Sequence, residues 1–424
     1  MRTMKDSGVE WVGEIPETWH VNALKRIAQI QTGSTPSKKE GNNYYSDEGG
    51  IPWIKPENLN SMLPIVNTSE YLNDAGAKIG RVFKPHTTFV ACIASVGKIG
   101  YSDVICSCNQ QINGITFSDN IFWKYGYYVL TASAIEHIAK SNTSVQAILN
   151  SQQEGYIKLP IPSYDEQRYI VSYLNEKCSA IDEAIARHQS SIKKLEEYKR
   201  ATIIYKVSHT DKNVEYVDSN IPWMPTMPKT WAIVPLKYAV TQRINKNLDM
   251  CEKNLLTLSY GEIKRKNIET NEGLLPTSFE GYNIIEKDDI VLRLLDLQND
   301  TRSLRTGLVT ERGIITSAYV TITPSSAFDS MYCRYLLHAY DLMKVLYTMG
   351  EGVRQSLSFD ELSRKMLVPV PLINEQRKIA EDISIMESNV NEAIARMLKN
   401  IEKLEEYKKS LIYNAVTGKI DCRK

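Results

Sequence analysis

The chain repeats part of its own sequence. Residues 159–210 and 368–419 align without a gap at an offset of 209, and 21 of the 52 positions are identical. A shorter repeat, at an offset of 212, relates Trp11, Pro16, Thr18, Trp19, Leu24 and Lys25 to Trp223, Pro228, Thr230, Trp231, Leu236 and Lys237. Each unit therefore consists of a variable block followed by a nearly constant segment. The duplication predicts two similar units with pseudo-twofold symmetry.

Both constant segments predict long helices. In the second copy, apolar residues recur at alternating steps of four and three, which is a heptad seam: Ile379, Ile383, Met386, Val390, Ile394, Met397, Ile401, Leu404, Leu411 and Ala415. The first copy has the same seam with more polar members: Ile170, Leu174, Lys177, Ile181, Ile185, His188, Ile192, Leu195, Lys199, Thr202 and Lys206. A helix over 166–206 would be about 60 Å long at about 1.5 Å per residue. The two helices are expected to pair antiparallel as a coiled coil.

Short sequence signals mark the ends of these helices. A capping box, Ser163-x-x-Glu166, marks the start of the first helix, with Asp165 and Asn374 as alternative caps in the two copies. Gly418 predicts the end of the second helix, whereas His209 stands at the equivalent position of the first.

The expected fold class is α/β. Residues 1–158 and 211–367 predict two mixed α/β domains with short β-rich runs and helical stretches, while 159–210 and 368–424 predict the helical segments that separate them.

Four turn-like strings in the first block predict a nucleic-acid contact surface. They are GSTPSKK (33–39), WIKPENL (53–59), SVGKIG (95–100) and CNQQ (108–111). Glycine and proline let a backbone approach a ligand, and Asn or Gln presents both a donor and an acceptor to a base edge. The candidate contacts are Ser34, Thr35, Lys55, Asn58, Lys98, Asn109, Gln110 and Gln111.

The second block has its own basic and amide-rich strings at 261–266, 293–305 and 354–355. Arginine can bind guanine bidentately, and Asn or Gln can bind adenine. The candidates are Lys264, Arg265, Lys266, Arg293, Gln298, Asn299, Arg302, Arg305, Arg354 and Gln355.

Charge does not by itself favour DNA binding. The chain has 51 Lys and Arg against 50 Asp and Glu, whereas DNA-binding domains usually have a basic excess. Local placement of charge, or a partner that contacts the phosphates, would have to supply the electrostatic attraction. The seven cysteines form no CxxC pair and the six histidines no HxxxH pair, so no disulfide framework or zinc site is predicted. No signal-peptide pattern or long apolar stretch is present, which predicts a cytoplasmic protein without a membrane segment.

An enzymatic interpretation finds little support. The sequence has neither a GxxxxGK[ST] nucleotide loop nor a GxSxG elbow. Asp249 with Glu262-Ile263-Lys264 is the nearest nuclease-like pattern, in which two carboxylates would hold magnesium. A structural coiled-coil adaptor that binds only protein is a second alternative.

Two variable domains, each followed by a nearly constant helix that opens with PxP…EQR and closes with LEEYK, resemble the specificity (S) subunits of type I restriction–modification systems. The VTGKI ending at 416–420 and the GSTPS and WIKPENL strings are also typical of that family. The resemblance implies a noncatalytic chain whose two target-recognition domains read the unlike halves of a bipartite DNA site. The helices would set the gap between the half-sites.

The same resemblance implies partners. Two methyltransferase (M) subunits would dock on the helices, and motor-nuclease (R) subunits would join for cleavage. S-adenosylmethionine, magnesium and ATP would belong to those subunits and not to this chain. Because they recur in both copies, the candidate partner contacts are Glu166, Gln167, Arg168, Glu196, Glu197 and Lys199 with Glu375, Gln376, Arg377, Glu405, Glu406 and Lys408.

Overall fold

The computed structural model describes residues 2–38, 43–59, 63–141, 148–210, 213–266, 278–297, 304–350 and 356–423. The chain forms two compact units. Unit 1 contains Met1–His188 and Lys399–Lys424, and unit 2 contains Gln189–Leu398. Each unit therefore holds one globular block and a part of both long helices.

Unit 1 is a mixed α/β structure. Its helices are α1 (Asp74–Ile79), α2 (Trp123–Ala132), α3 (Ala134–Ala139), α4 (Ser151–Glu154) and the first part of α5 (Tyr164–Ser208). Its strands are β1 (Met4–Asp6), β2 (Glu14–Pro16), β3 (His20–Ala23), β4 (Ala28–Thr32), β5 (Tyr45–Ser46), β6 (Ile51–Ile54), β7 (Tyr71–Leu72), β8 (Val82–Phe83), β9 (Thr87–Ala91), β10 (Ile99–Ser102), β11 (Cys106–Cys108), β12 (Ile112–Phe117) and β13 (Lys158–Ile161). An antiparallel sheet has the order β10-β9-β12-β4, and a five-stranded sheet has the order β5-β7-β6-β11-β8, in which β11 runs parallel to β6.

Unit 2 follows the same plan. Its strands are β14 (Tyr216–Ile221), β15 (Met224–Pro228), β16 (Ala232–Pro235), β17 (Val240–Gln242), β18 (Leu256–Ser259), β19 (Glu262–Arg265), β20 (Asn283–Ile285), β21 (Ile290–Leu292), β22 (Thr306–Leu308), β23 (Gly313–Ile315), β24 (Val320–Pro324) and β25 (Leu367–Val370). Its helices are α6 (Ser330–Leu342), α7 (Val345–Met349), α8 (Phe359–Lys365) and part of α9 (Ile373–Val416). The sheet β17-β24-β21-β22 repeats the order of β4-β12-β9-β10, and β16-β25 repeats β3-β13.

The short sequence repeat lies in the two cores. Trp19 and Leu24 are fully buried in unit 1, and their counterparts Trp231 and Leu236 are equally buried in unit 2. These residues recur because each block packs against its own long helices in the same way, and burial of large apolar side chains is the main favourable contribution to folding.

Both long helices form as predicted. They contain 45 and 44 residues, which corresponds to about 68 and 66 Å at about 1.5 Å per residue. Ser163 precedes α5 and its hydroxyl accepts the amide of Glu166 at 3.4 Å, whereas Asp165 and Asn374 lie inside the first turns and are not caps. Gly418, at φ +76°, terminates α9, because Lys419 N donates back to Asn414 O.

The helices run antiparallel in each unit. In unit 1, Arg2 contacts both Glu166 and Asp421, and further along the helices Asp182 accepts a hydrogen bond from Lys408. In unit 2, Lys199 meets Asn391 and Lys206 meets Asp382.

The seam prediction is correct at most positions, but Cys178, Ile203 and Val207 are buried in place of the predicted Lys177, Thr202 and Lys206. Ile170, Leu174 and Ile181 are buried, but Lys177 is exposed. A helix with 3.6 residues per turn drifts against a strict seven-residue repeat. Near its start, α5 also packs on the core of its own block, so the buried face is wider than a coiled-coil seam.

Candidate nucleic-acid interface

Three of the four polar strings in the first block meet at one edge of unit 1. Trp53 Nε1 donates to Ser34 O at 3.3 Å, Asn109 N donates to Ile54 O at 3.1 Å, and the Thr35 hydroxyl donates to Gln110 Oε1. The name "first polar edge" is used below for Ser34, Thr35, Lys55, Asn109, Gln110 and Gln111. The strings at 53–59 and 108–111 lie together because β11 pairs in parallel with β6, with Cys108 opposite Ile54.

Close backbone packing holds this edge together. Gly33 N donates to Ile112 O at 2.8 Å and Ser34 N donates to Cys108 O at 2.9 Å. A Cβ atom on Gly33 would collide with the carbonyl oxygens of Cys108 and Asn109, so this position requires glycine.

The amides of the edge are ordered by local hydrogen bonds. Asn109 Nδ2 donates to Gln111 Oε1 and Asn109 Oδ1 accepts the Gln111 amide, both at 3.1 Å. Asn109 is largely buried whereas Gln110 is exposed. Asn109 therefore shapes the turn, and Gln110 presents its amide group to solvent, where a base edge could be read.

Lys55 takes part in a salt-bridge cluster. Glu70 accepts from both Lys38 and Lys55, each at 2.5 Å, and these two hydrogen bonds hold the pKa of Glu70 below its usual value. Trp53 lies beneath both ammonium groups, within 6 Å of each. Asn58 Oδ1 accepts the Lys55 amide at 2.8 Å and fixes the turn that follows.

Lys98 lies next to the first polar edge. It occupies the turn between β9 and β10, where its carbonyl oxygen accepts a hydrogen bond from Ala91 N. Cys92, the residue after Ala91, donates its amide to Gln111 O at 2.8 Å. Backbone hydrogen bonds at the end of β9 thus connect the string at 95–100 to the string at 108–111.

In unit 2 the basic string at 264–266 lies at the end of hairpin strand β19. Arg265 binds Glu311 bidentately, which lowers the pKa of Glu311, and Lys264 lies 2.9 Å from Glu262. Arg265, Lys264 and Glu262 are solvent-exposed, and Lys266 is partly exposed. Salt bridges at exposed positions contribute little to stability, so these side chains could exchange a carboxylate for a phosphate or a base at low cost.

Arg293 and Arg305 occupy opposite environments. Arg293 is exposed, whereas Arg305 is 3% exposed and its guanidinium donates to the carbonyl oxygens of Arg293, Leu295 and Asp296. Asp341 accepts the Arg305 amide at 3.2 Å. Because these hydrogen bonds hold the Arg305 guanidinium inside the protein, Arg305 is not among the proposed DNA contacts. Gln298, Asn299, Arg302, Arg354 and Gln355 lie outside the described residues.

The nuclease-like pattern does not assemble into a recognisable site. Glu262 pairs with Lys264 of its own strand, and Asp249 is exposed. In the parts of the chain that the structure describes, no group of three His, Cys, Asp or Glu side chains could hold a metal ion.

The predicted partner residues of the helices separate into two groups. Gln167 and Gln376 are buried, and each holds its helix to its block. Gln167 accepts the Phe122 amide at 2.7 Å and donates to Asn120 O and Pro162 O, while Gln376 accepts the Asp329 amide at 2.8 Å and donates to Ala327 O and Pro371 O. The recurrence of Gln is thus explained by a structural role. Glu166 is similarly engaged, since its carboxylate accepts from Trp19 Nε1 and pairs with Arg2.

The recurrent lysines also have a structural role. Lys408 donates to Asp182 at 2.5 Å in unit 1, and Lys199 donates to Asn391 at 3.0 Å in unit 2. Because 182 and 391 differ by the same offset of 209 as 199 and 408, this is one interhelical contact made twice. The remaining recurrent residues are solvent-exposed, apart from the half-buried Glu375: Arg168, Glu196 and Glu197 with Arg377, Glu405 and Glu406.

Sequence reasoning missed the residues that support these surfaces. Asp182 and Asn391 were overlooked because they differ between the copies, although aligning the copies at their offset would have paired them. Tyr198 and Tyr407, which stand beside the paired glutamates, are 54% and 58% exposed. These exposed aromatic rings belong to the same recurrent surface.

Similar proteins support the same interpretation. Residues 16–197 match a type I restriction modification DNA specificity domain. The MjaIX specificity subunit of Methanocaldococcus jannaschii is 22% identical over 429 residues, which cover 96% of this chain and 95% of the relative. The HindI specificity subunit of Haemophilus influenzae is 29% identical over 174 residues, 39% of this chain and 37% of the relative.

Two solved structures share the fold. A chain from work on complex assembly and conformational transition of the type I R-M system has a TM-score of 0.70 at 12% identity, covering 96% of this chain and 99% of its own length. The HsdS subunit of Thermoanaerobacter tengcongensis has a TM-score of 0.51 at 12% identity, with 96% and 98% coverage.

The duplicated α/β units and their paired helices, taken with these similarities, define a DNA-specificity protein. Residues 16–197 match the DNA specificity domain of type I restriction–modification systems, and nearly the whole chain is similar to a specificity subunit of such a system. None of the helices within the described ranges is long and apolar enough to cross a membrane.

Proposed function

We propose that this chain reads an asymmetric, bipartite DNA target, with residues 1–158 and 211–367 as its two target-recognition domains. The observation that supports this proposal is that the two units share the strand order of one sheet but differ in the sheets that lie between its strands in sequence. The sheets β4-β12-β9-β10 and β17-β24-β21-β22 share one order, but between equivalent strands unit 1 has a five-stranded sheet whereas unit 2 has the pairs β18-β19 and β20-β23. Because these sheets present different side chains to DNA, the two half-sites should differ in base sequence.

The contact set of the first half-site is centred on Thr35, Lys55, Lys98, Gln110 and Gln111, with Ser34, Asn58 and Asn109 fixing their backbone. For the second half-site, the exposed Lys264, Arg265 and Arg293 are the described candidates, together with Lys266. Amide side chains provide base discrimination, and cationic ones bind phosphates or guanine.

The exposed recurrent residues of the helices support docking of two identical partners. Arg168, Glu196 and Glu197 match Arg377, Glu405 and Glu406 at exposed positions, and packing within the chain does not explain that identity. We assign these surfaces to two methyltransferase subunits, to which restriction subunits are added for cleavage. S-adenosylmethionine, magnesium and ATP are then properties of the partners, in a cytoplasmic complex.

The charge balance fits this division of labour. Lys38 and Lys55 share Glu70, Arg265 is paired with Glu311, and the net charge of the whole chain is +1. Most of the salt-dependent attraction to phosphates therefore has to come from the docked partners.

Methylome mapping tests the bipartite target. The chain is expressed with its methyltransferase partner in a host that lacks other DNA methylation, and modified sites are read by single-molecule sequencing. Gln110→Ala should alter the first half-site only, and Arg293→Gln the second only. Modification at sites with a single continuous motif, or an unchanged motif in both variants, would contradict the proposal.

A second experiment tests whether the helices set the gap. Four residues are inserted between Lys193 and Lys194 and four between Arg396 and Met397, so that both helices lengthen by about 6 Å at about 1.5 Å per residue. The gap between the half-sites should change by about two base pairs at about 3.4 Å each, with both half-sites kept. Replacing four exposed residues at the same places without insertion is the control. An unchanged gap with retained folding would favour the protein-only adaptor.

A further inference from the structure

A buried polar network connects the helical side of unit 1 to the first polar edge. Thr32 Oγ1 donates to Asn113 Oδ1 at 2.7 Å, and Asn113 Nδ2 donates to Glu154 Oε2 at 2.6 Å. Glu154 Oε1 lies 3.4 Å from His137 Nδ1, and His137 Nε2 lies 3.2 Å from the Ser133 hydroxyl. Four of these residues, Asn113, Glu154, His137 and Ser133, have no exposed surface.

One further hydrogen bond fixes the direction of the contact between Ser133 and His137. The Ser133 hydroxyl donates to Leu130 O at 2.9 Å, so its oxygen must accept a proton from His137 Nε2. His137 Nδ1 and Glu154 Oε1 are buried 3.4 Å apart, and neither atom has a hydrogen-bond partner in this arrangement. The hydrogen-bonded part of the network therefore runs from Thr32 through Asn113 to Glu154 Oε2.

The network ends where the first polar edge begins. Thr32 is the last residue of β4, and Gly33 and Ser34 follow it with amides bound to Ile112 and Cys108. Asn113 lies directly opposite Thr32 in the register of β12 and β4. The position of Thr35 and Gln110 thus depends on a strand end that Asn113 and Glu154 hold.

We propose that Asn113 and Glu154 are positioning residues for recognition of the first half-site, acting through Thr32 on the first polar edge. This inference rests on the proposed function of that edge. Neither residue touches DNA in this arrangement. Buried networks of this kind specify one conformation when every member is satisfied, and they are disruptive when one member is not.

The test uses Asn113→Asp, which replaces an amide donor by an oxygen of the same size. The introduced carboxylate and that of Glu154 would then face each other across the distance of a hydrogen bond, and two carboxylates at that separation require a shared extra proton. The other ionisable groups at the site are His137 and Cys92. Burial, followed by the charge of Glu154, raises the pKa of Cys92 to about 12, so its thiol stays protonated.

The sign of the pH effect follows from that extra proton. The pKa of the carboxyl group introduced by the variant is raised. The hydrogen bond between residues 113 and 154 therefore forms at low pH, where the extra proton is present, and is lost as the pH rises. Glu154→Gln is the matched control for pH, because its amide oxygen can still accept from Asn113 and the side chain carries no charge at any pH. Thr32→Val, which deletes only the terminal hydroxyl, is the mild second variant.

The full chain with its methyltransferase partner is used to select from a library of random-sequence duplex DNA at pH 6 and pH 8. We expect Asn113→Asp to lose about tenfold discrimination at the first half-site at pH 8, the effect of about 1.4 kcal/mol, and to regain most of it at pH 6. Thr32→Val should lose several-fold at both pH values, the effect of about 1 kcal/mol for one hydrogen bond. Glu154→Gln should give the same discrimination at both pH values, and the second half-site should be unaffected in every variant.

Amide exchange of Gly33 and Ser34, corrected for the intrinsic effect of pH, is measured in parallel. Faster exchange in Asn113→Asp at pH 8 than in Glu154→Gln supports the network even if the wild-type chain selects no sequence, a result that would refute the proposed function alone. Equal exchange and unchanged first half-site discrimination in both Asn113→Asp and Thr32→Val would overturn the inference.

Discussion

Arg293 and Arg305 illustrate how residues of one type acquire different tasks. They are backbone partners at one strand end, since Arg293 N donates to Arg305 O at 2.9 Å, yet only Arg305 is buried. Arg305→Gln should lower the free energy of unfolding by about 3 kcal/mol, because three carbonyl groups and the buried carboxylate of Asp341 lose the guanidinium that they contact. Arg293→Gln should change it by no more than about 0.5 kcal/mol. Urea denaturation of both variants checks this, and equal stabilities would contradict it.

His338 predicts a specific pH dependence. Its burial, with Arg334 and Lys199 nearby, lowers its pKa to about 3, while in the unfolded chain it titrates near 6.5. Between those values the unfolded state binds more protons, so stability falls as the pH falls, at about 1.4 kcal/mol per pH unit. From pH 6.5 to 5 the wild-type chain should lose about 1.6 kcal/mol more than His338→Leu, since the unfolded imidazole is only half protonated at pH 6.5.

An exposed, nonionisable residue of the same unit provides the control for that measurement. Gln242→Ala should retain the wild-type pH slope in the same denaturation series, because it removes no ionisable group. A slope unchanged in His338→Leu would show that the imidazole takes up its proton in the folded chain.

At this scale the sequence identifies polar residue types but not their partners. Arg265 and Glu311 are 46 residues apart, and Lys55 and Glu70 are 15 apart, so neither pair has the spacing of a helix or a hairpin turn. Arg305 shows the converse: the sequence predicts it as a candidate DNA contact, but the fold buries its side chain. Tertiary contacts decide both outcomes.

Among the elements, the two long helices are anchored by an equivalent glutamine. Gln167→Ala would leave the Phe122 amide, which precedes α2, and the Pro162 carbonyl without partners. We expect a loss of about 2 to 3 kcal/mol for these buried groups, and faster amide exchange in α2. The adjacent exposed residue gives the matched control, since Arg168→Ala should change stability by less than about 0.5 kcal/mol.

Gln376→Ala should have the same effect in unit 2, at α6, through the Asp329 amide. Exchange that increases in the other unit, or in neither, would contradict the local role of this residue.

The helices were predictable from periodicity, and their polar seam residues were not. Ile170, Leu174, Ile379 and Ile383 are buried as the heptad pattern predicts. Lys199 and Lys408 interrupt that pattern, and only the structure shows that each reaches across to the opposite helix. Long lysine side chains cover apolar seams with their stems while the ammonium group finds a polar partner.

For the molecule as a whole, duplication was the most informative signal, because it predicted two units of one plan before any strand was assigned. It could not predict the first polar edge or the basic surface of unit 2, since both arise in segments that the two copies do not share. The five-stranded sheet of unit 1 depends on one parallel pairing, β6 with β11, and non-local pairing leaves no mark on local sequence periodicity.

The duplication also predicts that the order of the two copies can be exchanged. In unit 1, Arg2 Nη2 lies 3.0 Å from Asp421 Oδ1, so both ends of the described chain lie together. The equivalent position in unit 2, between the end of α5 at Ser208 and the start of β14 at Tyr216, is continuous chain. A permuted chain would therefore join Arg423 to Arg2 by a short glycine-rich linker in unit 1. It would be opened in unit 2, so that it begins at Asn213 and ends at Thr210.

The permuted chain should fold with a stability within about 1 to 2 kcal/mol of the original, because a flexible connection of a few residues costs little closure entropy. Methylome mapping should return the same two half-sites with the same gap. A chain opened inside β12 is the control, since it breaks the central pairing of the first sheet and should not fold. Loss of one half-site in the permuted chain, with both units folded, would show that chain order contributes to recognition beyond the two units.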